Sequence, residues 1–189
     1  MSSLVLTGDT SGQVTLAAAA VAGSNTITVQ AATGTMSVNT LSTAVASTSG
    51  TSIDFTGLPT WCKRVTVMFG NVSTSGTSNW LIQIGSGSIT STGYVSAATT
   101  PGATTNSTAG FIVNSNATAA NTVNGAIRIE LLGSNLYVSS GILTQNTTTQ
   151  GPYSSGSVTL SGALDRVRIT TAGGTDTFDA GTINILYEG

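Results

Sequence analysis

The sequence predicts an all-β protein: an antiparallel β-sandwich, jelly-roll-like, preceded by an extended N-terminal arm. Three observations predict it. Through residues 51–189, β-branched and aromatic residues alternate with polar ones at period two, which marks half-buried strands. The stretches between them are rich in Gly, Ser, Thr and Asn, residues that favour turns. Residues 1–50 carry no aromatic side chain and one charged one, Asp9.

Taken in order, the arm holds three short alternating runs, at 4–6, 14–16 and 26–29, separated by Gly8, Gly12, Gly23 and Gly34. Such runs bury too little apolar surface to offset the entropy of ordering them. The arm is therefore expected to be held by the domain that follows or by another chain. Ala17 to Ala20 could close one helical turn, but Gly23 follows closely, and one turn without support is not stable. The sandwich is expected to span 51–189. Val65, Val67 and Phe69 alternate with Arg64, Thr66 and Met68; Trp80, Ile82 and Ile84 alternate with Leu81 and Gln83. Ile127, Ile129 and Leu131 alternate with Arg128 and Glu130, Val167 and Ile169 with Arg166 and Arg168, and Ile183, Ile185 and Tyr187 with Asn184, Leu186 and Glu188. Shorter strands are expected at 52–55, 110–114, 136–143 and 157–160. Residues 97–107 and 145–155, rich in Thr with Ala and Pro or with Gln and Gly, read as long functional loops or contact surfaces. Eight or nine strands without a convincing helix make a sandwich the natural solution.

Composition narrows the function. The 189 residues include 35 Thr, 25 Ser and 23 Gly, but only 6% are charged and none is histidine, against about 25% charged in an average domain. Nucleophilic catalysis through a histidine base is excluded. So is a Cys/His zinc site, since Cys62 is the single cysteine. A net charge of −2 offers no basic footprint for nucleic acid. The longest apolar run, around 17–22, is far short of the ~20 residues of a membrane span. No charged and apolar leader opens the chain, so synthesis without signal-sequence export is expected. Neither a cofactor nor an enzymatic activity is expected.

The remaining chemistry is sparse. Cys62, flanked by Trp61 and Lys63, reads as a small residue at a strand edge. Glycoside hydrolysis needs only two carboxylates, but Asp165 and Asp179 sit beside turn residues, where aspartate bonds its local backbone. Glu130 shares a strand face with Arg128, which suggests a surface ion pair. Asp176 and Asp179 are a thin basis for a calcium site. Trp80 falls on the core phase of its strand, and Trp61, after Pro59, is expected at the sandwich edge. Tyr94 and Tyr153 lie in or beside loops and are the candidate ligand contacts, as stacking platforms, with packing the equal alternative. Sheet edges in monomers are commonly defended by lysine; this chain has only Lys63, so its edges are expected to be covered by other subunits.

The segment from Leu6 through Thr7, Gly8, Asp9, Thr10 and Ser11 to Gly12, with Gly23, Ser24, Asn25 and Thr26, then Ala31, Ala32, Thr33 and Gly34, resembles a stretch recurring in bacteriophage tail fibre and other virion structural proteins. The block around Asp54, Phe55, Gly57, Leu58, Pro59, Trp61 and Arg64, and the ending Asn184, Ile185, Leu186, Tyr187 and Glu188, look like parts of a β-domain in the same proteins. The usual prolines of the first segment are replaced near Ala19 or Ala20 and at Gln30. The resemblance implies a trimeric, virion-attached β-protein assembled in the host cytoplasm. Residues 1–50 would dock on other tail or capsid proteins, and the sandwich would face outward. The expected function is a short tail fibre or receptor-binding protein touching host surface glycans. The alternatives are a capsid decoration (cement) or head-fibre protein and, more distantly, a glycan-degrading tail enzyme.

Overall fold

The structure, a computed structural model, describes residues 3–7, 13–17, 37–100, 102–119, 121–146 and 151–189. The chain divides into two compact units, Met1–Met36 and Ser37–Gly189. In the first, β1 (Ser3–Thr7) and β2 (Gln13–Ala17) form an antiparallel hairpin running from Ser3 opposite Ala17 to Thr7 opposite Gln13. Two of the three short runs are thus strands. The run at 26–29 lies outside the described residues.

The second unit is an antiparallel sandwich of two sheets. Its strands are β3 (Asn39–Leu41), β4 (Val45–Ala46), β5 (Ser52–Thr56), β6 (Arg64–Thr74), β7 (Trp80–Ser86), β8 (Ser88–Ile89), β9 (Val95–Thr100), β10 (Ala103–Ser107), β11 (Phe111–Ile112), β12 (Val123–Gly133), β13 (Leu136–Gln145), β14 (Tyr153–Thr159), β15 (Arg166–Thr171) and β16 (Phe178–Glu188). The large sheet has the order β10-β9-β14-β13-β12-β6-β16-β3, with β4 also on β16; the small sheet runs β11-β7-β15-β5, with β8 on β7. The antiparallel pairs β6·β16, β7·β15 and β9·β14 nest within one another and lie in the large, small and large sheet in turn. That is the wrapping a jelly roll uses. The hairpin β12–β13 is inserted between β14 and β6 and widens the large sheet.

The core follows from the alternation. Val65, Val67 and Phe69 of β6 meet Ile127 and Ile129 of β12 and Ile183 and Ile185 of β16, facing Ile82, Ile84, Val167 and Ile169 of the small sheet. Each such side chain contributes about 1.5–3 kcal/mol by leaving water. Trp80 is buried among Phe69 and Phe178, with ring centroids 6.1 and 6.0 Å away. Its indole N–H donates to the Thr74 hydroxyl.

Three expectations are corrected. The sandwich begins at Ser37, before residue 51, because β3 and β4 pair with β16 along the edge of the large sheet. The stretch 97–107 is largely a hairpin, β9–β10, with Thr100 opposite Ala103. Leu81 and Gln83, on the polar phase of β7, are buried. Leu81 packs with Ile112, Ala98 and Ala109 in a second small core, and the Gln83 amide donates to the Ala109 carbonyl.

Candidate functional site

The outer face of the large sheet is set by its register. Residues directly opposite in neighbouring strands share a face. One row therefore runs Thr99, Tyr153, Ile142, Ala126 across β9, β14, β13 and β12, and the next runs Ala97, Ser155, Ser140, Arg128. These two rows line an open groove of about 640 Å³. Its floor is small because Ala, Ser and Gly occupy most of it, and its walls are Tyr153 and Ile142, 59% and 63% exposed. Tyr153 is an exposed aromatic standing over hydroxyls. Among the described residues, the side chains of Ser140 and Ser155 hold no hydrogen-bond partner, so both can bond a ligand.

Arg128 lies at the β12 side of the groove and is exposed. Its neighbours across the two flanking strands are Ser140 and Thr66, which carry no charge. The expected pair with Glu130 is not formed. Arg64 sits opposite both Glu130 and Glu188, and its guanidinium reaches them at 2.8 and 3.2 Å. Direct cross-strand position beats the two-residue offset along β12. The hydrogen bond to Glu188, first, and the neighbouring charges raise the pKa of Arg64. Arg166 holds Asp165 at 2.7 Å and Arg168 holds Asp54 at 2.7 Å. The Arg166 hydrogen bonds keep the Asp165 carboxyl below its ordinary pKa. Of the four arginines, Arg128 is the one without a carboxylate partner among the described residues.

The two tyrosines separate. Tyr153 is in the groove, whereas Tyr94 is 1% exposed and is corrected from ligand contact to core. Its ring meets Phe111 edge-on at 5.0 Å. Its hydroxyl accepts the Ile84 N–H at 2.8 Å and donates to the Thr90 carbonyl at 3.0 Å, replacing a strand neighbour where β11 no longer reaches. Desolvation pushes its pKa up to about 12.

The other candidates disperse. Cys62 is buried, and desolvation raises its thiol pKa, the opposite of what a reactive thiolate needs. Asp179 accepts a hydrogen bond from Ser73, while Asp176 accepts the Ser78 N–H. Among the described residues no three of His, Cys, Asp and Glu come together. Trp61 is at the edge as expected, tilted against Tyr187 with centroids 5.8 Å apart.

Comparison with known proteins decides nothing further. No family model, curated protein or solved structure matches the chain. The groove therefore stands on its own geometry. Of the groove residues, the sequence singles out Tyr153 but not Arg128, Ser140 or Ser155. The available signal was that all three lie on the polar phase of their strands, but only the register places them side by side.

Proposed function

We propose that this protein is a bacteriophage virion structural protein, an oligomeric short tail fibre or receptor-binding protein that touches host surface glycans through the groove at Tyr153. The observation that carries the reading is the groove itself: an exposed tyrosine ring beside free serine hydroxyls on a rigid sheet. An aromatic face takes the apolar side of a sugar ring, and hydroxyls take its rim. The site is open and shallow, so a single contact is weak, and several copies on one particle would multiply it by raising the effective concentration. Oligomerisation, as the trimer that the resemblance implies, is supported by the edges. Strands β10 and β3, which end the large sheet, carry no charged residue, so nothing electrostatic opposes coverage by another subunit.

The test is a glycan array probed with the full chain at high density. Binding is expected, and Tyr153→Ala should lower it at least fivefold at unchanged melting temperature, given about 1 kcal/mol or more for a stacked aromatic. No binding at any density would overturn the receptor-binding reading. A capsid-decoration role is the second reading, favoured by the same uncharged edges. Imaging that places the protein on the shell and away from the tail would select it.

A further inference from the structure

We propose that the groove selects an anionic saccharide, with its carboxylate or phosphate taken by Arg128 while a neighbouring ring stacks on Tyr153; this rests on the glycan-binding reading above. Charge complementarity argues for it. The groove lining contains one cation and no carboxylate. Glu130, two residues along β12 on the same face, is engaged by Arg64, so it does not neutralise Arg128. Ser140 and Thr66, on either side of Arg128, are uncharged. An arginine fork is matched to planar or tetrahedral oxyanions and binds them through two parallel hydrogen bonds. Here that fork is left open.

The spacing fits an oligosaccharide better than a single ring. Tyr153 and Arg128 are separated by two strands, roughly 10 Å, and by two residues along the strand, roughly 7 Å. The diagonal is therefore about 12 Å and crosses β13 between Ile142 and Ser140, with Ser155 beside Tyr153 on β14. A chain lying along this diagonal would place one ring on the tyrosine and its anionic group at the guanidinium.

The experiment compares charged and discharged forms of one chain on the immobilised full-length protein. Oligogalacturonide and its methyl ester form the carboxylate arm. A phosphomannan and the same mannan after removal of its phosphates form the phosphate arm. At least one anionic probe should bind about tenfold tighter than its uncharged counterpart. Arg128→Gln should erase that preference, and Arg128→Lys should restore only part of it. The preference should also shrink at 0.5 M salt, on the order of the screening expected for an exposed pair. The arm that responds tells carboxylate from phosphate. Equal binding of charged and neutral probes, lost in Tyr153→Ala, would overturn this inference and leave the glycan reading standing. An array on which no saccharide binds would overturn both.

Discussion

Tyr94 and Tyr153 are the same side chain with opposite fates, and the difference lies in what each hydroxyl can reach. Tyr153 ends in solvent over the groove. The Tyr94 hydroxyl closes a backbone gap at Ile84. Tyr94→Phe keeps the ring against Phe111 but leaves a buried N–H without a partner, a cost of about 1–3 kcal/mol. The urea midpoint should fall accordingly, with an unchanged slope. The same group sets an alkaline limit. Its folded pKa lies above its unfolded value of about 10, so its stabilising contribution is full below pH 10 and is lost as pH rises toward 12. Unfolding followed by circular dichroism should show that decline in the native chain and a shallower one in Tyr94→Phe. Nothing local in the sequence distinguishes the two tyrosines. The Ile84 N–H that its hydroxyl accepts is ten residues away, and it is open to Tyr94 only because β11 is two residues long.

Among the elements, β6, β12, β15 and β16 were legible because large apolar and polar residues alternate in them. The hairpin β9–β10 was not. Its inward positions are Ser96, Ala98 and Thr100, so the hydrophobic contrast that reveals a strand is absent, although the backbone pairing is complete. Burial of Leu81 was hidden for a related reason: its cover, Ala98 and Ile112, comes from other strands. The groove inherits this difficulty, since it spans four strands and depends on three registers. Strand β16 supplies a sharper test. It is bulged around Ala180 and Thr182, and Gly181 between them has φ +92° with the backbone of Gly70 and Asn71 against the position of a Cβ. Gly181→Ala must strain the backbone and push β6 away, costing about 2 kcal/mol or more. Gly174→Ala, at φ +68° in open space, should cost only about 1 kcal/mol. Thermal melts of the two variants should separate them in that order.

For the whole molecule, electrostatics contributes little to holding the fold together. Among the described residues, the four ion-paired contacts lie on exposed or partly exposed side chains, where such pairs are worth about 0–1 kcal/mol each, and no histidine titrates near neutrality. Stability should therefore be flat from about pH 5 to 8; above that the unfolded Cys62 thiol ionises more readily than the buried one, whose pKa is raised, and stability begins to fall. The acid side ends where Asp165 protonates: its folded pKa is depressed, so its contribution is present above the unfolded value of about 4 and lost as pH falls below it. Adding 1 M salt at pH 7 should move the melting temperature by no more than about 3 °C, while weakening the binding of any anionic ligand. A larger shift would mean that charges contribute more to the fold than these exposed pairs suggest.

The placement of the five basic residues has one more consequence. Arg64, Arg128, Arg166 and Arg168 lie within strands β6, β12 and β15. Lys63 is tied at both ends of its peptide unit, its N–H to Glu188 and its carbonyl to the Leu131 N–H. A protease that cuts after lysine or arginine must draw extended chain into its own cleft. At each of these five bonds the backbone is already committed to a neighbouring strand. Digestion by such enzymes must wait for a sheet to open, and the Ser- and Thr-rich turns give them nothing to cut. Durability against trypsin-like enzymes is thus written into where the few cations sit.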